Sequence, residues 1–120
     1  MRNVPWPHFI AAHPTGYLVA AVAPKAQRRP LTQRLGMLVA LLEQMKLTQD
    51  YAVDRQSSEQ EIHIAFEDEA DARRFAEVVQ AQPAASRDSA WTLQWVFHMN
   101  EATSDAIRAA MMTGGEIDER

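Results

Sequence analysis

Two hydrophobic periods take turns between residues 17 and 98, and their order leaves the chain few ways to fold. Apolar residues at every second position mark strands, and recurrences every three to four positions mark helices. Residues 17–23 (YLVAAVA) are apolar throughout and bounded by Gly16 and Pro24, as in a buried central strand. Leu31, Leu35, Leu38, Leu42 and Met45 form one helical stripe over 31–46, with Pro30 suited to its first turn. Residues 51–55 and 61–66 read as strands. In the second, Ile62, Ile64 and Phe66 alternate with Glu61, His63 and Ala65. Ala72, Phe75, Ala76 and Val79 stripe a second helix over 68–82, which Pro83 closes. In 90–98, Trp91, Leu93, Trp95 and Phe97 point one way, and Thr92, Gln94, Val96 and His98 the other.

Strand, helix, strand, strand, helix, strand is the split βαβ order. It predicts an α+β, ferredoxin-like βαββαβ sandwich over 17–98, with a four-stranded antiparallel sheet and two helices on one face. Residues 1–16 form an N-terminal arm in which 8–12 is the candidate for an extra strand, turned back by Pro14-Thr15-Gly16. A C-terminal helix falls within 99–113, from about residue 102 to 112, with Thr103 or Ser104 as its cap. Gly114-Gly115 stops it, and 114–120 is a frayed tail. Gly36, inside the first helix, is read as a point of close backbone approach.

Composition narrows function mainly by exclusion. At 120 residues with 47% hydrophobic content, the chain suits one folded domain. It has no cysteine, so disulfides and thiolate chemistry are excluded. A net charge of -4 disfavours nucleic acid as a partner. No run approaches the ~18 apolar residues of a membrane span, and residues 1–12 lack the pattern of a signal peptide. A cytoplasmic protein without cofactor is expected.

The stretch 64–72 (IAFEDEADA) resembles the third strand and second helix of RNA-recognition domains. That family stacks bases on aromatics of its third strand. Here Glu59 and Gln60 fall at its basic and glycine places, and Glu61 and His63 where the aromatics belong. A carboxylate repels phosphate, so RNA binding is not expected.

Three constellations remain. His63 and His98 fall on the sheet face away from the helices, separated by two strand spacings, or roughly 10 Å. With Asp54 to orient one ring, the pair can carry acid–base chemistry. The basic loop holding Lys25, Arg28 and Arg29 precedes a helix start and can grip an anion, with Gln94 as a further ligand-binding candidate. Trp91, Trp95 and Phe97 read as core. His8 and His13, five apart on a proline-broken arm, lack the one-turn spacing of a helical metal pair, and no metal ligand is assigned. The preferred expectation is a non-catalytic binding or regulatory module. It would self-associate through its sheet face, as a homo-oligomer and most simply a dimer, or bind a protein partner there. The alternatives are an enzyme built on His63, His98 and Asp54, and an anion or nucleotide module built on the basic loop.

Overall fold

A computed structural model describes residues 3–13, 16–22, 32–54, 61–84 and 91–112. Among these described residues nine elements follow in order: α1 (Trp6–Ala12), β1 (Tyr17–Val22), α2 (Thr32–Gln44), β2 (Tyr51–Asp54), β3 (Glu61–Phe66), α3 (Glu69–Val78), β4 (Gln82–Pro83), β5 (Leu93–His98) and α4 (Glu101–Met112). The fold is α+β, and its sheet is mixed, with five strands in the order β2-β3-β1-β5-β4.

The expected four-stranded antiparallel sheet does not form. The order β2-β3-β1-β5 places the four long strands as anticipated, but β5 runs parallel to β1. The cause lies just after α3. That helix ends at Val78, short of the expected residue 82, and Gln80 takes a left-handed φ of 57°. The chain then enters the two-residue strand β4, which pairs antiparallel with β5. Pro83 has no N–H and is confined to a sheet edge. The apolar hairpin partner β5 therefore takes the inner place beside β1, in reversed direction.

Alternation sorts the side chains as expected. Val19, Ile62, Ile64, Phe66, Trp95 and Phe97 all join the large core, with Leu38, Leu42 and Phe75 from the helices above them and Val79 just after α3. Three helices contribute to that core, not two, because Ile107 of α4 is fully buried in it. α4 is tied to α2 by Gln44 Nε2 donating to the Met111 carbonyl at 2.8 Å. Its cap is Asn100, whose Oδ1 accepts the Thr103 N–H at 2.9 Å, not the expected Thr103 or Ser104. Both of those are buried inside the helix.

Two further expectations change. Residues 8–12 are helical within α1 and add no strand. Pro7 sits in the first turn of α1, where a missing N–H costs nothing. Trp91 precedes β5 and turns away from the main core. It packs on a second, smaller cluster of Phe9, Leu18, Ala52 and Ala65 across the sheet. Its ring lies 6.0 Å from Trp6. The arm thus covers part of the sheet face that the sequence left open. Among the described residues, no helix is long and apolar enough to cross a membrane.

Candidate functional site on the arm-covered sheet face

The ladder between β2 and β3 pairs Tyr51 with Phe66 as its last strand register. One step further, Asp50 and Glu67 stay locked together. The Glu67 N–H donates to the Asp50 carbonyl at 3.1 Å, and the Asp50 N–H donates to Glu67 Oε2 at 3.3 Å. Strand parity puts both side chains on the side of Ala52 and Ala65, under the arm.

The approach to Asp50 is held from the opposite layer. The Asp71 carboxylate, on α3 and 1% exposed, accepts the N–H groups of Thr48 and Gln49 and the Thr48 hydroxyl. Arg74, one turn later, donates to the Met45 carbonyl at 2.6 Å. Lys46 turns the chain there with a φ of 52°. α3 therefore sets the 45–49 turn, and the turn sets Asp50.

His13 arrives from the arm. It is the C-cap of α1, its N–H donates to the Phe9 carbonyl at 2.8 Å, and its ring lies 4.9 Å from the Phe9 ring. Phe9 is fully buried against the sheet and so anchors the end of α1 that carries His13. His13 Nε2 stands 3.8 Å from Glu67 Oε2. One ligand atom each from His13, Asp50 and Glu67 lies within 4.8 Å of the others, and all three residues are half-buried.

Two donors on one cation stand at most about 4.4 Å apart, twice an ordinary metal–oxygen distance. The trio, within 4.8 Å, stands close to that limit. One imidazole nitrogen and two carboxylates suit Zn²⁺, Mn²⁺ or Fe²⁺; Ca²⁺ needs more oxygens. A cavity of about 350 Å³ opens beside the trio, with His13, Asp50 and His8 among its lining residues. A second, of about 440 Å³, lies along the arm next to Trp6, Val53 and Asp54.

The residues named from sequence fare unevenly. Asp54 and His63 are direct cross-strand partners. His63 Nε2 is 2.9 Å from Glu61 Oε1, a neighbour that sequence reasoning had not used. His98 shares the face of His63 but not its row: His63 pairs with Ala20, and His98 with Val22. Two strand spacings and a two-residue offset put them about 12 Å apart. They do not form a close acid–base pair. Gln94 lies beside Leu18 on the same face, half-buried. Lys25, Arg28 and Arg29 fall outside the described residues.

Asp50 and Glu67 escaped sequence reasoning, although a signal existed. One directly precedes β2 and the other directly follows β3, so an antiparallel pairing that sets Tyr51 opposite Phe66 also sets them opposite each other. His13 was weighed only with His8, whose five-residue spacing does not suit a helical metal pair; its partners here are distant in sequence and lie under the arm. Compared with known protein families, with curated proteins and with solved structures, the chain matches none of them.

Proposed function

We propose that the chain is a divalent-cation protein carrying acid–base chemistry on a small molecule, with His13, Asp50 and Glu67 as the ligands. The reading rests on the convergence of three ligand atoms from three separate segments within 4.8 Å, beside a cavity. A cation held there from one side would act as a Lewis acid toward whatever occupies the cavity. The chain's part is to fix the three donors. Phe9 anchors the helix that ends in His13, and Asp71 holds the turn that leads to Asp50. This keeps the acid–base alternative on the sheet face expected from sequence and moves it to different residues.

Calorimetric titration of Mn²⁺ and Zn²⁺ into the purified protein tests the reading. One ion per chain is expected, with affinity lowered at least tenfold by His13→Ala and by Glu67→Gln. Binding no tighter than millimolar, or binding indifferent to both substitutions, overturns it.

A second reading draws on the rest of that face. Among the described residues, α1 packs at the Leu18 end, while half-exposed Val22 and Val96 flank His63 and His98 at the other. A second copy docking on those valines would make the homodimer expected from sequence. Light scattering at tens of micromolar decides it, and a monomer ends that reading.

A further inference from the structure

Two of the three donors, His13 and Asp50, also line the 350 Å³ cavity, so an ion held by the trio would border it. We infer that this cavity takes a small organic monocarboxylate, with its carboxylate on the ion and its short apolar remainder along the arm. The inference rests on the cation reading above and names the ligand class for that site.

The walls argue for this class. Val4, Pro5, Phe9 and Ala12 give one side of the cavity an apolar lining. Asn3 and His8 bring polar side chains to it, and both are exposed at its rim. An Asn amide and an imidazole N–H each donate to a carboxylate oxygen. Among the described lining residues there is no Lys or Arg, and two carboxylates already offset the charge of a divalent ion. A dianionic phosphate would find no guanidinium or ammonium among those described residues to balance it. A monoanion leaves less charge uncompensated, and a few carbons on it bury against Val4 and Phe9, which phosphate cannot do. The volume lies at the small end of ligand pockets, which run from ~300 to 1,000 Å³, and so favours a short chain.

The experiment uses the full chain in two stages. Zn²⁺ alone is titrated first, and the Zn²⁺-saturated protein is then titrated with acetate, butyrate and inorganic phosphate. Butyrate is expected to bind at least fivefold tighter than acetate or phosphate, only with Zn²⁺ present, and at least fivefold more weakly to His8→Ala at saturating Zn²⁺. If Zn²⁺ binds but butyrate shows no advantage, or binds equally without the ion, the inference fails while the cation reading stands. If Zn²⁺ itself does not bind, both fall.

Discussion

Gly16 and Gly36 carry opposite consequences for the same added methyl. A Cβ on Gly16 would lie 3.0 Å from the Phe66 carbonyl oxygen and 3.6 Å from the Phe9 ring. Backbone on one side and the arm's anchor on the other leave no easy relief. Gly16→Ala should cost about 1–3 kcal/mol, the usual penalty of overpacking. Gly36, expected from sequence to permit a close approach, faces nothing within 4 Å. Gly36→Ala should stabilise by about 1 kcal/mol through helix propensity alone. Urea midpoints of the two variants check both signs. Tyr51 adds a pH dependence. Burial raises its phenol above the ordinary 10.0, and the charge of Glu43 adds to the shift. In the unfolded chain the phenol ionises near pH 10. Above that pH the unfolded state binds fewer protons than the folded one, so stability falls as pH rises. The contribution is intact below about pH 10 and is lost as pH climbs through the folded value. Tyr51→Phe should flatten the alkaline limb of stability against pH, and an unchanged limb would count against the assignment.

At the scale of elements, α3 does two separable things at its first turn. Asp68 caps the helix by accepting the Asp71 N–H at 3.1 Å. Asp71 points the other way and collects the 48–49 N–H groups. Asp71→Asn replaces one acceptor oxygen by a donor facing the N–H groups of Thr48 and Gln49, which costs about 1–3 kcal/mol. It should also loosen the turn before Asp50 and weaken Zn²⁺ binding several-fold. Asp68→Ala removes the cap alone, at about 1 kcal/mol, and should leave Zn²⁺ affinity where it was. Equal Zn²⁺ affinity in the two variants would deny Asp71 its positioning role. The second helix and the alternation of β3 were legible because each buries one face, and a period records that burial. The function of Asp71 was not, because an acidic residue near a helix start reads as complementing the dipole whether or not it also reaches a neighbouring turn. α1 was illegible for a related reason. It has seven residues, no side-chain cap and no charged residue favouring its dipole. Its helicity comes from Phe9 settling on the sheet, which local sequence does not record.

Across the whole molecule, the sheet separates two apolar clusters of very different size. The larger holds three helices against β1, β2, β3 and β5, while the smaller rests on Phe9, Leu18, Ala52 and Ala65. The inner place of β5 in the sheet fits this partition. β5 carries Trp95 and Phe97 into the large cluster and so takes the place beside β1, leaving Pro83 at the rim. The order of the four long strands was readable from sequence because it depends on which segments are most apolar; the fifth strand was not. Strand direction was not, because it turned on a two-residue strand too short to leave a period. The partition also divides the tryptophans: Trp95 reports the large cluster, and Trp6 with Trp91 the small one. The arm is held by one fully buried side chain, Phe9, at ~1.5–3 kcal/mol, by partly buried Val4, Trp6 and Ile10 and by the Val4 N–H donating to the Tyr51 carbonyl, a much smaller set than the core's. Trp95→Phe leaves fluorescence reporting the arm, and Trp6→Phe with Trp91→Phe leaves it reporting the core. The arm should release at a lower urea concentration than the core unfolds. Zn²⁺ links His13 on the arm to Asp50 and Glu67 on the sheet, and an ion that binds only the docked arm stabilises it by mass action. Saturating Zn²⁺ should therefore move the arm's midpoint toward that of the core, and His13→Ala should abolish the movement. Coincident midpoints without the ion, or a shift that persists in His13→Ala, would mean that arm and core form one cooperative unit and that the ion does not clasp them together.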